Sequence, residues 1–253
     1  MIKKNIPNLL TLCNLFCGCV AIVFAFEGNL VWSTYMVGIA CVFDFLDGLV
    51  ARALNVHSEI GKQLDSLADM VSFGVVPGVM MWEWIKTILV EEKNWPTHQD
   101  IIGGFSYFSE LFLLPFAGFL ITIFSAIRLA KFNLDNRQTD SFIGLPTPAN
   151  TIFISSLIFL FKSKLPASFH EFLFTPYVLI LVTIISSLLL IAPLPLFALK
   201  FKNFSWMDNR VRYIFLIFAL ALLIIYKFVG IPLIIILYII LSIINNIITK
   251  KYS

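Results

Sequence analysis

The sequence predicts an all-α polytopic membrane bundle of about eight transmembrane helices, with both termini in the cytoplasm. Three observations predict it. Of 253 residues, 59% are hydrophobic and only 13% charged, against roughly 25% charged in a soluble domain, and the mean hydropathy is +0.92. The apolar residues form continuous runs, unlike the alternating segments of a membrane β-barrel, and helices are the open-chain solution to backbone bonding in hydrocarbon. If the runs alternate across the bilayer, thirteen of the 18 Lys and Arg residues fall on one side, which marks it as cytoplasmic. The same composition excludes a disordered chain and a nucleic-acid binder.

The runs fall at residues 9–26, 31–54, 64–90, 111–129, 149–161, 172–192, 211–228 and 231–248. The first follows Lys3 and Lys4 as a secretory signal would. Asn8, Thr11 and Asn14 interrupt it and no small-residue cleavage site precedes Gly28, so it reads as a retained helix. The second and third carry the carboxylates taken up below. The fourth ends in the polar cluster Arg128, Lys131 and Asn133, on the cytoplasmic side. The fifth is short and follows Pro146 and Pro148, which break a helix. The sixth closes in a proline turn over residues 186–195, and the seventh and eighth form a pair. Lys200, Lys202, Arg210 and Arg212 set orientation and attract anionic lipid.

Other features read as structural. Residues 91–110 form an acidic outer segment, with Trp82, Trp84 and Trp95 as interfacial anchors. Cys13, Cys17, Cys19 and Cys41 lie in apolar stretches and serve as small packing residues. His57 reads as a solvated loop residue, and His98 and His170 fall on the outer side without a catalytic part.

Residues 41–70 read CVFDFLDGLVARALNVHSEIGKQLDSLADM. Asp44 and Asp47 are three apart and Asp65 and Asp69 four apart, so each pair projects from one helix face. A short turn joins the two helices, so the faces converge near the cytoplasmic surface. An Asp at the centre of a span costs about 2.5–3.5 kcal/mol, so four cost on the order of 10 kcal/mol uncompensated. Arg52 and Lys62 are too few to neutralise them. One or two hard divalent cations on oxygen ligands would, and an all-Asp shell suits Mg²⁺ or Mn²⁺ better than Zn²⁺. Gly48 and Gly61 let a bulky ligand approach the backbone, and Arg52 supplies a phosphate-binding fork. Together these specify a pyrophosphate-sized anionic substrate.

The stretch resembles, position for position, the signature D-x2-D-G-x2-A-R-x8-G-x3-D-x3-D of the CDP-alcohol phosphatidyltransferase family, at Asp44, Asp47, Gly48, Ala51, Arg52, Gly61, Asp65 and Asp69. Residues 6–18 (IPNLLTLCNLFCG), 72–77 (SFGVVP), 128–133 (RLAKFN) and 142–150 (FIGLPTPAN) resemble blocks of one branch, the membrane-embedded phosphatidylserine synthases of bacteria and archaea. Lys131 stands where that branch is expected to carry Arg. The resemblance implies a family membrane domain over residues 1–200 and a C-terminal helix pair of the same bundle over 201–253. It implies transfer of a phosphatidyl group from CDP-diacylglycerol to the hydroxyl of L-serine, giving phosphatidylserine and CMP.

By the same resemblance, Asp44, Asp47, Asp65 and Asp69 are metal ligands, and Asp69 is also the general base. Gly48, Arg52, Ser58, Gly61, Asn8 and Thr11 belong to the CDP-diacylglycerol site. Arg128, Lys131 and Asn133 read either as a positive-inside anchor or as a site for the serine carboxylate, and two Mg²⁺ or Mn²⁺ ions are expected. A homodimer in the inner membrane, with its active site facing the cytoplasm, is implied as well. The nearest rival is a sister enzyme using glycerol 3-phosphate or inositol phosphate. More distant are an intramembrane prenyltransferase, whose acidic motifs would lie on well-separated helices, and a divalent-cation transporter, which would carry midplane ligands and an internal repeat.

Overall fold

The computed structural model describes residues 2–56, 58–91, 113–134, 141–197 and 205–251. His57, Trp95, His98, Lys200, Lys202 and all of the acidic outer segment beyond Glu91 lie outside the described residues. Helix α1 (Ile2–Phe26) turns into α2 (Leu30–Ala53) through Gly28, whose φ of 71° suits glycine, and Asn29, whose side chain accepts from the Trp32 N–H. Helix α2 ends in a Schellman turn. Asn55 adopts φ 50°, its N–H bonds the Arg52 carbonyl, and the Val56 N–H bonds the Ala51 carbonyl. Three residues later Ser58 caps α3 (Glu59–Asp69), its Oγ accepting from the Gly61 N–H at 2.8 Å. These two caps fix the short connection that brings the acidic faces together.

Helix α3 runs through a π-helical segment, Met70–Val75, into α4 (Val76–Glu91). The widened turn has a cause in the sequence. Pro77 has no N–H for the Phe73 carbonyl four residues before it. Side chains of other helices serve these carbonyls instead: Thr151 Oγ1 donates to Phe73 O at 2.8 Å and Thr122 Oγ1 to Gly74 O at 3.0 Å. The continuous run Glu59–Glu91 is the central span, with 67% of its apolar window buried against 17–33% in the other long spans. At 33 residues it is about 50 Å long, beyond the ~30 Å hydrocarbon core, so the polar α3 extends past the apolar run that starts at Leu64.

A 3₁₀ turn (Leu114–Gly118) leads into α5 (Phe119–Leu134) and packs closely on α4, where a Cβ on Gly118 would lie 2.7 Å from the Gly78 carbonyl. Then follow β1 (Ser141–Ile143), α6 (Thr147–Phe161), α7 (Ala167–Leu173), α8 (Pro176–Ile191), β2 (Pro195–Phe197), α9 (Trp206–Tyr226) and α10 (Ile231–Lys251). β1 and β2 pair antiparallel, Ser141 opposite Phe197, so among the described residues the structure is helical apart from one three-residue ribbon. The core gathers Met80, Met81, Ile85, Leu89, Ile121, Ile154 and Leu179 around α4. Trp84 belongs to it rather than to the interface: it is 4% exposed and stacks on Phe174.

Among the described residues, five helices are long and apolar enough to cross a membrane, or six if α7 and α8, bent by 55°, count as one span. The expected eight is therefore not reached by length and composition. Helix α6 has only 15 residues. The 40-residue run Asn209–Ile248 is interrupted at Lys227 (φ 52°, ψ −133°), and α9 packs on α10 across that break. Large apolar side chains such as Phe16, Phe45, Ile217 and Ile224 face outward, as the chain of a membrane protein requires.

Replacing Thr151 with Val keeps the shape and removes the donor to the Phe73 carbonyl. The expected cost is about 1–3 kcal/mol for a buried group left unpaired, read as a lowered unfolding midpoint in detergent; an unchanged midpoint would mean that the carbonyl finds another donor.

Candidate active site

The hairpin of α2 and α3 carries the four carboxylates, yet the two helices scarcely touch along their lengths. Helix α1 packs against both and fills the angle between them. Across that angle one carboxylate oxygen each of Asp44, Asp47 and Asp65 lies within 4.8 Å of the others. Asp69 is within hydrogen-bonding reach of Asp44. Asp47 is 7% exposed, and the other three are partly buried. Among the described residues the only ion pair is Glu83 with Lys86 on α4, so no Lys or Arg neutralises the cluster at contact distance.

The donor set fits a hard divalent cation. Every donor is a carboxylate oxygen, as Mg²⁺ and Mn²⁺ prefer. Their mutual distances, within 4.8 Å, are close to the ~4.2 Å that two opposed ligands of one Mg²⁺ span. Helix α1 braces the cluster from outside. Thr11 Oγ1 donates to Asp47 Oδ2 at 2.6 Å, and Asn14 Nδ2 donates to Asp69 Oδ1 at 3.3 Å. One helix thus holds an acid of each of the other two.

Beside the cluster lies a cavity of about 530 Å³ lined by Pro7, Asn8, Thr11, Asp47, Gly48, Ala51, Val56, Ser58, Glu59, Gly61, Lys62 and Asp65. Its two glycines differ in what they make room for. A Cβ on Gly61 would lie 2.8 Å from Ser58 Oγ and 2.9 Å from Asn8 Oδ1, so the protein's own side chains occupy that space. A Cβ on Gly48 would meet nothing nearer than Arg52 Nη2 at 4.0 Å. The bare backbone at Gly48 therefore opens onto the cavity, with the exposed Arg52 beside it.

Most of the residues expected at the site thus come together: the four Asp, Asn8, Thr11, Gly48, Ser58 and Gly61 at the cluster or cavity, and Arg52 next to it. Three do not reach it. Arg128 is 6% exposed and its Nη1 donates to the carbonyls of Ile143 at 2.7 Å and Leu190 at 3.1 Å, which ties α5 to β1 and to the end of α8. Asn133 Nδ2 donates to Ser66 Oγ at 2.8 Å, joining α5 to α3 beside Asp65. Lys131 is exposed. His170, at 2.9 Å from the Phe161 carbonyl, packs between Phe161 and Phe174. Asn14 was not expected as a site residue, although its place three residues after Thr11 on an otherwise apolar helix was a signal for it.

The family model of the CDP-alcohol phosphatidyltransferases matches residues 4–244. Among curated proteins, a CDP-diacylglycerol–serine O-phosphatidyltransferase of Helicobacter pylori strain J99 is 34% identical over 150 residues, 58% of this chain and 54% of that protein. The enzyme of that name from Bacillus subtilis strain 168 is 32% identical over 147 residues, covering 56% and 69%. An archaetidylserine synthase of Methanothermobacter thermautotrophicus is 31% identical over 168 residues, covering 65% and 62%. The chain spans about half the length of the Helicobacter relative it matches.

The two glycines separate in a stability measurement. Gly48→Ala adds a methyl to open space and gains up to about 1 kcal/mol of helix propensity, so its unfolding midpoint in detergent is expected at or above that of the parent. Gly61→Ala pushes Ser58 off its cap, at about 0.5–2 kcal/mol, and is expected below Gly48→Ala; the reverse order would mean that Gly48 serves packing.

Proposed function

Because the chain belongs to the CDP-alcohol phosphatidyltransferase family, we propose that it transfers the phosphatidyl group of CDP-diacylglycerol to the hydroxyl of L-serine, forming phosphatidylserine and CMP. The observation that carries this reading is the convergence of carboxylates from two helices beside a cavity of about 530 Å³ onto which the Gly48 backbone opens. Serine as acceptor is taken from the relatives: the bacterial and archaeal names share it while their lipids differ.

Asp44, Asp47, Asp65 and Asp69 would hold the metal, two Mg²⁺ or Mn²⁺ ions in this reading. When bound, it supplies positive charge to the pyrophosphate and to the leaving oxygen of CMP. Asp69 takes the proton from the serine hydroxyl as that oxygen bonds to the phosphorus bearing diacylglycerol. The bond from this phosphorus to the CMP oxygen breaks, and CMP leaves with the electron pair. Gly48 lets the pyrophosphate approach α2, and Arg52 presents its fork from the same side. Asn8, Ser58 and Gly61 line the nucleotide side. The hydroxyl of Thr11 is engaged with Asp47, so Thr11 holds a metal ligand in place in addition to lining the cavity.

Outward apolar residues of α2, Phe45 and Leu49, keep the acyl chains in lipid while the headgroup reaches the cavity. Of the three residues placed toward the serine carboxylate, Lys131 is the exposed cation, while Arg128 is held by the carbonyls of Ile143 and Leu190 and Asn133 by Ser66. The protein works as a homodimer in the inner membrane with this site facing the cytoplasm. Residues 1–200 form its catalytic part and residues 201–253 an added helix pair.

The test is CMP release by the purified protein in detergent with CDP-diacylglycerol and Mn²⁺ or Mg²⁺, against serine, glycerol 3-phosphate, inositol and inositol phosphate. Release with serine alone is expected, falling about 100-fold or more in Asp69→Asn. Gly48→Ala should stay folded and lose turnover. Release with a different alcohol would replace the acceptor, and no metal-dependent release with any of them would end the phosphatidyltransferase reading.

A further inference from the structure

Asn14 lies three residues beyond Thr11 on α1, deeper in the bundle, and is 0% exposed. Its Nδ2 donates to Asp69 Oδ1 at 3.3 Å, and its main-chain carbonyl accepts from Ser72 Oγ, in the π segment, at 3.0 Å. Its side-chain Oδ1 is buried and has no hydrogen-bond partner. The large majority of buried polar side-chain atoms are hydrogen-bonded, and of the two buried amides with an unpaired end among the described residues, Asn14 and Asn150, Asn14 is the one that bonds an acid of the cluster. Here one end holds the carboxylate read above as the base, and the other is an acceptor for which the protein supplies no donor. Thr11 differs, since its one hydroxyl proton is shared between Asp47 Oδ2 and the Pro7 carbonyl. Among the described residues, Asn14 is the one neutral side chain that donates a hydrogen bond to Asp69.

We propose that Asn14 is a positioning residue for the transfer: Nδ2 holds Asp69 so that its second oxygen faces the acceptor hydroxyl. The proposal rests on the reading of Asp69 as base. It leaves the nucleotide in the cavity between Asn8, Gly48 and Ser58.

The test is steady-state kinetics of the full chain in detergent with CDP-diacylglycerol, serine and Mn²⁺. Asn14→Leu, of similar volume and without polar atoms, is expected to lower kcat about 10–100-fold. KM for serine, KM for CDP-diacylglycerol and the half-saturating Mn²⁺ concentration should not move. Asn14→Ser keeps a short donor and should restore part of kcat, and it carries the test if the Leu variant does not fold. Ser72→Ala frees the Asn14 carbonyl without touching the amide and should retain most of the activity.

Unchanged kcat in both Asn14 variants would overturn the proposal. So would a loss shared equally by the CDP-diacylglycerol and Mn²⁺ parameters, or an equal loss in Ser72→Ala, which would assign Asn14 to packing. Asp69→Asn run in parallel separates the two readings. Full activity there would remove Asp69 as base, whereas an inactive Asp69→Asn beside a normal Asn14→Leu would sink the positioning role alone.

Discussion

Four carboxylates on two membrane helices, with no Lys or Arg in contact among the described residues, set the constraint on which this architecture turns. Left uncompensated, such a cluster costs on the order of 10 kcal/mol, comparable with the whole stability of a typical domain. The fold meets it in three ways. The acids lie within about three helical turns of the connection between α2 and α3, whose first turn precedes the apolar run. Helix α1 donates hydrogen bonds to one acid from each helix. The remaining oxygens converge closely enough to share a divalent cation.

The rest of the bundle serves to hold that hairpin open and in place. Helices α2 and α3 scarcely touch each other, and the space kept between them by α1 becomes the cavity. Immediately after Asp69 the π segment, imposed by Pro77, offers carbonyls to Thr151 and Thr122. These bonds lock α6 and α5 onto the helix that bears the base candidate. Arg128, spread over the carbonyls of Ile143 and Leu190, and the β1–β2 ribbon close the bundle by joining α5 to the two connections. A polar seam through an apolar bundle is thus what connects distant segments to the site.

The site's acids were legible because their information is local. Spacings of three and four put each pair on one face, and a short connection with an Asn able to adopt positive φ, Asn55, makes the two faces meet. The space expected beside Gly48 is open, whereas at Gly61 it is taken by Ser58 and by Asn8 of α1, and the Asn8 contact is one between helices that no single stretch encodes. Arg128 looked like a substrate cation because a charge near a helix end is ambiguous until its carbonyl partners are known. Trp84 looked interfacial for the same reason, its neighbours Phe161 and Phe174 lying about 80 residues away in sequence. Run length could not settle the number of spans either, as the 15-residue α6 and the interruption at Lys227 illustrate.

The most direct test of the central claim, that the four-carboxylate cluster is a divalent-cation site, is the unfolding midpoint of the detergent-purified protein with and without Mn²⁺. The account predicts a midpoint that climbs with Mn²⁺ concentration, worth about 2.7 kcal/mol at a hundredfold excess over Kd, that is reversed by a chelator and lost in Asp47→Asn combined with Asp65→Asn. A midpoint indifferent to Mn²⁺ and Mg²⁺ in the parent protein, or a shift that survives in the double variant, would contradict it.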